Sequence, residues 1–541
     1  MWQFRKTAIL IPALLALLAL KLAYGDIGTT DIGFDDEAVA LEHGLSMQMP
    51  TPDWAPLYSV WYAAVALVIK DPANVYYANW FVLVASLPLL LYALTRRLGA
   101  PFFSAMVVAT LWTIGQATRT WPFVTLFATL IIASGALAVT YARTWSRALS
   151  ITSVTINLAS FARPEFAAPG LVVAGAAALA LAVALRCRRQ EWRPLLAEGA
   201  LAIVPLLVLR RVFGNPMQGD RSLFAFGQHY GLNRIEASHL TLDPWTNWQP
   251  LYLEAFPHAQ SVLEAARENP AQFKWHVLRN LTLIVPEWRH FISPLVHIPV
   301  AIELFLQALL FLVLVAGLVA AVARRRLVWA KVGKTMPLLA VVFVATGGAL
   351  LIVRPRQHYI VTATFLGFAV LAGASGVLAD AMKARWPTLA RLDGRVASAV
   401  LALLLLLVPT HRPGRLPALL SPAGPPPPER FGGLEAVRVL RGLHFTQPIT
   451  ILESSYSRGL YVGGPFKSVT QVEKAAPFWA FVHARGINVI VIDDRLRTDP
   501  RFCNDAEFAA FELGSVREDF RVIQVEDLNV LVAVRAASLR D

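Results

Sequence analysis

The sequence predicts an α-helical polytopic membrane protein that ends in a small α/β domain outside the cytoplasm. Hydrophobic residues occupy 56% of the 541 positions and charged residues only 16%, whereas soluble domains carry about 25% charged residues. Long apolar segments recur from the N-terminus to residue 409. After a proline-rich stretch, the pattern changes to short apolar runs separated by polar turns, which is typical of an α/β domain.

Eleven apolar segments are predicted to cross the membrane as a helical bundle, since about 20 helical residues span a bilayer. They are residues 7–24, 75–95, 101–117, 122–142, 148–162, 166–186, 195–213, 299–323, 335–353, 359–379 and 396–409. The apolar stretch 56–69 is excluded, because it is short and follows Pro52 and Pro56. We expect it to form an amphipathic helix that lies at the membrane interface.

The distribution of basic residues agrees with this count. With the N-terminus inside, the cytoplasmic turns hold the basic clusters, which are Arg96-Arg97, Arg143 with Arg147, Arg186 with Arg188-Arg189, Arg324-Arg325-Arg326 with Lys331 and Lys334, and Lys383 with Arg385, Arg391 and Arg395. The short outer turns hold only Arg119, Arg163, Arg354 and Arg356. This is the positive-inside pattern, and counting 56–69 as a span would reverse it. The net charge of +13 therefore reflects membrane orientation, and no nucleic-acid partner is expected.

The topology divides the chain into three parts. Residues 1–410 form the transmembrane domain with outer loops 25–74 and 214–298, residues 411–430 form a Pro-rich linker, and residues 431–541 form the extracytoplasmic α/β domain. A helical piece over 258–283 is expected to rest on the membrane surface. In the last domain the pattern predicts strands at 449–452, 489–492, 521–524 and 529–534, and helices at 471–484 and 505–513.

Three consecutive carboxylates, Asp35, Asp36 and Glu37, follow the first apolar segment. Ionised acids at a membrane boundary require water, a cation or a proton, so these residues are candidates for proton transfer. A solvated acidic loop is the simpler interpretation. A third is a divalent cation bound through the oxygens of Asp35 and Asp36, although no cofactor is certain and no metal site is assigned.

The four outer arginines indicate a site for phosphate, because membrane orientation does not require them. A guanidinium near the membrane surface suits bidentate phosphate binding. The alternative is that each arginine pairs with lipid headgroups or with a neighbouring acid such as Glu165. Together with the carboxylates, they predict transfer of a group from a lipid-linked phosphate onto an acceptor: a carboxylate takes the acceptor's proton, and arginine stabilises the departing phosphate.

The residues that carry this chemistry resemble motifs of one enzyme family. The stretch from Asp36-Glu37-Ala38 to Leu45-Ser46-Met47 resembles the acidic first-loop motif of the GT-C membrane glycosyltransferases, especially the protein O-mannosyltransferases and the lipid A aminoarabinose transferases. Further similar stretches are Ala55-Pro56-Leu57-Tyr58, Leu91 to Gly99, Arg163-Pro164-Glu165 and Arg354-Pro355-Arg356-Gln357-His358-Tyr359. Departures are Ala40, where the family often has Tyr, and His358-Tyr359, which replaces a simpler Arg-Tyr.

The resemblance implies a polyprenyl-phosphate-linked sugar donor, an acceptor that is a glycan, a lipid or a protein, and transfer with inversion on the outer face of a bacterial cytoplasmic (inner) membrane. It implies that Asp36 is the catalytic base, with Asp35 as second candidate, and that the late arginine motif lies near the donor phosphate. Four further substrate-binding candidates come from the matching stretches, and they are Tyr58, Glu165, His358 and Tyr359.

The main alternative is a transporter or flippase of a lipid-linked or small polar substrate. Carriers are usually built from repeated halves with broken helices in corresponding positions, and the sequence shows no such repeat. The histidines of the second outer loop, His229, His239, His258, His290 and His297, lack metal-ligand spacing and are expected to lie on the surface. Cys187 and Cys503 are predicted on opposite membrane faces, which excludes a disulfide between them.

The eleven-span topology predicts that the C-terminal domain lies outside the cytoplasm. A reporter that is active only in the cytoplasm should be silent when fused after Leu420. The same reporter fused after Arg189, in a predicted cytoplasmic turn, is the control and should be active. A cytoplasmic signal after Leu420 would contradict the topology and make 56–69 a span.

Overall fold

The structure is a computed structural model. It describes residues 2–27, 31–32, 35–48, 50, 54–115, 123–187, 192–218, 220–240, 248–292, 300–385, 387–407, 432–454, 458–470, 474, 476–514, 519–525 and 528–540. The predicted linker 411–430 lies outside the described residues.

Most of the chain before residue 408 is helical. In order, the α-helices are α1 (Trp2–Ile27), α2 (Asp35–Ser46), α3 (Pro56–Val68), α4 (Pro72–Arg97), α5 (Phe102–Ile114), α6 (Val124–Val139), α7 (Trp145–Ser160), α8 (Ala167–Cys187), α9 (Trp192–Phe213), α10 (Arg221–Ala237), α11 (Trp248–Ala255), α12 (Val262–Glu268), α13 (Pro270–Ile292), α14 (Val300–Ala323), α15 (Arg325–Val332), α16 (Met336–Ile352), α17 (Gln357–Arg385) and α18 (Pro387–Leu407). A 3-10 turn, Pro164–Phe166, precedes α8.

Each of the eleven predicted spans coincides with a helix, which confirms a polytopic helical membrane protein. In the described part of the chain, five helices are long and apolar enough to cross a membrane: Pro72–Arg97, Pro164–Cys187, Leu304–Ala323, Arg325–Ile352 and Gln357–Met382. Four shorter apolar helices accompany them, Ile9–Ala23, Phe102–Ile114, Val124–Val139 and Gly394–Leu406. The number eleven stays a prediction. Helix α3 has 13 residues, which is too short for about 30 Å of hydrocarbon.

The chain divides into two compact units. The bundle unit consists of Met1–Tyr24, Met49–Tyr58 and Trp80–Ala423. The loop-and-sheet unit consists of Gly25–Gln48, Ser59–Asn79 and Gly424–Asp541. Most of the first outer loop thus forms one compact unit with the C-terminal domain, a grouping that the sequence does not indicate.

Helix α17 lies at the centre of the bundle unit and packs against α5, α6, α14 and α16. A Cβ atom at Gly376 of α17 would lie 1.9 Å from the carbonyl oxygen of Gly99, so this close approach of two backbones requires glycine. Near the start of α17, the hydroxyls of Thr362 and Thr129 are hydrogen-bonded at 2.7 Å. The helix that follows the Arg354-Pro355-Arg356 turn is therefore fixed by packing along its length.

The C-terminal domain is a five-stranded sheet with helices on both faces, which confirms the predicted α/β character, and four of the five strands were predicted. The strands are β1 (Ile449–Leu452), β2 (Phe466–Val469), β3 (Val489–Ile492), β4 (Phe520–Gln524) and β5 (Leu531–Arg535), and the helices are α19 (Gly432–Arg441), α20 (Arg458–Val462), α21 (Phe478–Ala484), α22 (Asp494–Thr498) and α23 (Ala506–Glu512). The order is β2-β1-β3-β5-β4. Strand β1 pairs in parallel with β2 and β3, and β5 pairs antiparallel with β3 and β4.

Strand β3 shows why the local sequence pattern predicts strands correctly in this domain. Its side chains alternate between two cores. Ile490 and Ile492 lie in an aromatic cluster with Phe478 and Phe508. Val489, on the opposite face of the sheet, lies in the core that includes α19. A run of branched apolar residues is the signature of a strand buried on both faces. Strand β2 and helices α19, α20 and α22 were not predicted. Residues 471–473 and 475 of the predicted helix 471–484 lie outside the described residues.

Within the loop-and-sheet unit, the first outer loop contacts the C-terminal domain directly. The carboxylate of Asp31 accepts hydrogen bonds from the backbone N–H groups of Gly433 and Leu434 at 2.8 and 2.9 Å. Arg441 forms an ion pair with Asp71, with 2.6 Å between Nη2 and Oδ2. The first outer loop and the C-terminal domain therefore lie on the same side of the membrane.

Candidate active site

Helix α2 presents the acidic run on two different faces. The Asp36 side chain is exposed, whereas Glu37 is buried with only 3% of its surface accessible. Consecutive side chains on a helix point about 100° apart, which explains how neighbouring carboxylates reach such different environments. Helix α2 begins at Asp35, whose side chain lies outside what the structure describes. Asp36 is thus the solvent-accessible carboxylate of the described pair.

Glu37 is held by a chain of buried hydrogen bonds. The Tyr62 hydroxyl donates to Glu37 Oε2 at 2.7 Å, and Asn79 Nδ2 donates to the Tyr62 oxygen at 2.8 Å. The indole Nε1 of Trp61 donates to Asn79 Oδ1 at 2.7 Å. Buried polar groups that are fully connected in this way rigidify their surroundings. Through Glu37, the residue next to Asp36, this network fixes α2 to α3 and α4.

The contact between α2 and α3 also depends on Gly44. A Cβ atom at this position would lie 2.7 Å from the Ser59 carbonyl oxygen and 2.8 Å from Tyr62 Cβ. The two helices therefore approach each other more closely than any larger residue would permit. This approach brings Tyr62 within reach of Glu37.

The proposed cation site at Asp35 and Asp36 stays a prediction. Among the described residues, no three His, Cys, Asp or Glu side chains are grouped as metal ligands. The described part of the acidic run contains one exposed carboxylate and one that is committed to Tyr62.

In the bundle unit, Arg163 is held at the turn between α7 and α8. Its Nε and Nη2 atoms lie 2.7 and 2.6 Å from Glu165 Oε1, and its guanidinium lies over the Tyr359 ring at 5.1 Å from the ring centre. Only 11% of the Arg163 side chain is exposed. The pairing with Glu165 is the alternative that the sequence left open, and here it occurs together with an aromatic stack.

The second pair of predicted arginines lies on the turn between α16 and α17. Arg354 forms an ion pair with Glu236, which also pairs with Arg279 at 3.3 Å. The carbonyl oxygen of Arg356 accepts the backbone N–H of Tyr359 at 3.0 Å. Burial lowers the pKa of the Arg356 guanidinium, and the positive charge of Arg354 lowers it further. A guanidinium keeps its charge under all ordinary conditions, so this turn concentrates positive charge.

Tyr359 connects these arginines with two histidines. Its hydroxyl lies 3.5 Å from His229 Nε2, and its ring centre lies 4.1 Å from that of His358. Burial holds the pKa of His229 far below its ordinary value, and the charge of Arg356 lowers it further. A neutral imidazole has one N–H donor and one acceptor nitrogen, so His229 adds no positive charge to that of the arginines.

The expectation that His229 lies on the surface is wrong. Its side chain is buried in α10, because this face of α10 packs against α13 and the start of α17 rather than facing water. His239 and His258 are exposed as expected. The side chain of His290 and all of His297 lie outside the described residues.

The remaining predicted residues are placed as follows. Tyr58 is buried, with its ring centre 5.2 Å from that of Phe127. His358 lies with its ring 5.5 Å from Phe123. Arg119 lies outside the described residues. In the bundle unit the structure brings Arg163, Glu165 and Tyr359 together, whereas Asp36 and Glu37 belong to the loop-and-sheet unit.

A buried polar network beneath the Arg354 turn was not foreseen from the sequence. His276 Nε2 donates to the Ile352 carbonyl oxygen at 2.8 Å, and Asn280 Nδ2 donates to the Leu351 carbonyl oxygen at 3.0 Å. These carbonyls end α16 and have no partner within the helix. Asn233 Nδ2 lies 3.0 Å from His276 Nδ1 and 2.8 Å from Asn280 Oδ1. Side chains of α10 and α13 thus cap α16 where the basic turn begins.

Comparison with known proteins gives a distant structural likeness. No protein-family model and no curated protein matches the sequence. The fold is similar to the Archaeoglobus fulgidus oligosaccharyltransferase tethered with an acceptor peptide, with 12% identity over 95% of this chain and 72% of that chain and a TM-score of 0.42. It is also similar to apo ArnT from Cupriavidus metallidurans, with 14% identity over 100% of both chains and a TM-score of 0.39.

The buried network predicts that acid destabilises the loop around α13. Burial lowers the pKa of His276 to about 4, below the value of about 6.5 for an unfolded histidine. The unfolded chain therefore binds the proton first, and stability is lost as pH falls from about 6.5 towards 4, by about 3 kcal/mol at most. Protonation would also place an N–H on Nδ1 opposite the Asn233 amide donor.

The measurement is the melting temperature of the detergent-solubilised protein in buffers between about pH 7.5 and about pH 4. His276→Gln should melt at a lower temperature than the wild type at neutral pH, and the difference between the two melting temperatures should become smaller as pH falls. His239→Gln, which changes an exposed histidine, is the control and should follow the wild-type curve. A constant gap for His276→Gln would contradict the prediction.

Proposed function

We propose that this chain is a membrane glycosyltransferase that moves a sugar from a polyprenyl-phosphate donor to an acceptor by an inverting displacement. The proposed setting is the outer face of a bacterial cytoplasmic membrane, with the C-terminal domain outside the cytoplasm. The acceptor is a glycan, a lipid or a protein. The arginine cluster around Tyr359 in the bundle unit is the observation that carries this proposal.

The cluster supports a phosphate site for a physical reason. Arg163 and Arg356 come from turns far apart in the sequence. The Arg163 guanidinium lies over the Tyr359 ring, and Arg356 belongs to the short segment that contains Tyr359. Guanidinium groups held where water is scarce require anions close by, and the acids Glu165 and Glu236 provide some of that negative charge. The same guanidinium groups suit a phosphate on a lipid, because they can form charge-assisted, bidentate hydrogen bonds with it.

The reaction then needs a base for the acceptor, and we assign this role to Asp36. The acceptor oxygen forms a bond to the anomeric carbon of the sugar while its proton passes to the Asp36 carboxylate. The bond between that carbon and the phosphate oxygen breaks, and its electron pair leaves with the polyprenyl phosphate. The arginines stabilise the charge that develops on the phosphate. Attack from the face opposite the leaving group inverts the anomeric carbon.

Glu37 receives a different role from its neighbour. A carboxylate that accepts a buried hydrogen bond from Tyr62 at 2.7 Å is fixed in position and shielded from an incoming acceptor. We therefore assign Glu37 to the positioning of α2 and Asp36 to proton transfer. Asp35 remains the second candidate for the base.

Replacing Asp36 with Asn should lower the transfer rate by about 10²–10⁴-fold, because the amide keeps the size of the carboxylate but accepts no proton. The assay uses purified protein, a synthetic polyprenyl-phosphate-linked sugar and a hydroxyl acceptor, with product measured over time. Glu42→Gln, the same chemical change on the same helix, is the control and should retain most activity. Wild-type turnover in Asp36→Asn together with an inactive Asp35→Asn would move the base by one residue. Full activity in both variants would refute a catalytic role for this helix.

Replacing Arg163 with Lys should weaken transfer about 10- to 100-fold, because the charge remains while the planar fork that binds phosphate is lost. Since Lys can still pair with Glu165, the melting temperature should change little. Arg97→Lys, which alters an arginine stacked on Tyr141, is the matched control and should behave as wild type. Rates measured over a range of donor concentrations decide the result, and unchanged donor affinity and turnover would leave Arg163 a structural residue.

A further inference from the structure

We propose that helix α19 of the C-terminal domain is a clamp that holds helix α2, and with it Asp36, in its working position. The inference rests on the proposed function, because it gives the C-terminal domain a part in the placement of the proposed base. It adds a role for a domain whose purpose neither the composition nor the motifs indicate. All residues involved belong to the loop-and-sheet unit.

The first end of the clamp is Asp31, four residues before α2. Both carboxylate oxygens accept backbone N–H groups from the first turn of α19, at Gly433 and Leu434, at 2.8 and 2.9 Å. An acidic side chain at a helix N-terminus satisfies unpaired donors and interacts favourably with the helix dipole. A Cβ atom at Gly433 would lie 2.8 Å from both carboxylate oxygens, so the close fit requires glycine.

Burial at this end makes the interaction specific. Burial raises the pKa of the Asp31 carboxyl, although the hydrogen bonds from Gly433 and Leu434 and the charge of Arg458 act in the opposite direction. A desolvated carboxylate is costly unless its hydrogen bonds are made. Asp31 therefore favours the one arrangement in which α19 supplies those donors.

The second end of the clamp is Arg441, the last residue of α19. It pairs with Asp71, which lies immediately before α4, at 2.6 Å. Its Nε and Nη2 atoms also donate to the carbonyl oxygen of Tyr461 at 2.9 and 2.5 Å. The guanidinium thus joins α19, α20 and the end of the first outer loop.

A buried contact lies between the two ends. The ring of Tyr461 packs edge-to-face against Tyr76, with 6.0 Å between ring centres, and the Tyr76 hydroxyl donates to the Asp31 carbonyl oxygen at 3.4 Å. Burial raises the pKa of the Tyr461 hydroxyl well above its ordinary value, and the negative charge of Glu37 raises it further. The C-terminal domain therefore reaches the surroundings of the residue next to Asp36.

These contacts fix the segment that carries the base at both of its ends. Asp31 and Asp71 flank α2 and α3, and a single helix of ten residues binds both. A displacement of about 1 Å at a catalytic group can cost about 100-fold in rate. A clamp on both flanks gives the placement of Asp36 a rigid support that an open loop of this length would lack.

The test compares three variants at the Arg441 end in the full-length protein in detergent. Asp71→Asn and Arg441→Ala break the ion pair, and Arg441→Lys keeps a charge for it. Arg438→Ala is the matched control, because Arg438 lies on the same helix but pairs with Glu435 of that helix. Amide hydrogen exchange over residues 35–46 and the kcat and KM for the donor are measured for each.

We expect faster exchange over residues 35–46 and about 10-fold lower kcat in Asp71→Asn and Arg441→Ala, with unchanged KM for the donor. Arg441→Lys should keep most of the protection from exchange and most of the kcat of the wild type. Arg438→Ala should resemble the wild type. Adding Asp71→Asn to Arg441→Ala should change little further, because the two residues act as one pair.

The clamp is refuted if exchange over residues 35–46 is unchanged in Arg441→Ala, or if Arg438→Ala accelerates it equally. A variant that fails to fold is recognised by exchange that rises throughout the chain, and Asp71→Asn, the milder change, then decides. A wild-type protein without transfer activity would refute the proposed function, whereas the exchange comparison would still decide whether the clamp exists.

Discussion

The arrangement of the loop-and-sheet unit depends on the hydrogen bonds of the partly buried Asp31 carboxylate. It closes the N-terminus of a helix that lies 402 residues away along the chain. Each partner needs the other, because the first turn of a helix has unpaired donors and a partly buried carboxylate requires hydrogen-bond donors. This mutual requirement unites the first outer loop and the C-terminal sheet into one compact body.

In the bundle unit the charged groups that need partners are positive. Arginines on two turns lie near Tyr359, where burial makes their charges costly. Glu165 and Glu236 pair with Arg163 and Arg354, and the nearby His229 stays neutral. The proposed anionic donor would bind beside these arginines. Beneath them, His276 and its amide partners keep the end of α16 fixed, so the basic turn has a defined position.

The two units illustrate how adjacent residues acquire different tasks. Asp36 and Glu37 have nearly the same chemistry, yet the helix turns one to solvent and the other to the Tyr62 hydroxyl. Arg163 and Arg354 are alike in type, and each is held by a different acid. In both units the surrounding structure therefore decides which partner each charged group has.

The sequence by itself determined the helical membrane architecture, the motif residues and the α/β character of the last domain. These follow from local patterns: long apolar runs form helices, and the Val489–Ile492 run forms a buried strand with the predicted bounds. Strand β2 was not predicted, because it lies at the edge of the sheet and carries the polar residues Lys467 and Ser468. The Asp31 cap, the burial of His229 and the union of the first loop with the C-terminal domain were decided only by the tertiary structure. Each depends on partners far apart in the sequence, and no local periodicity records which distant group will satisfy a buried charge or a helix end.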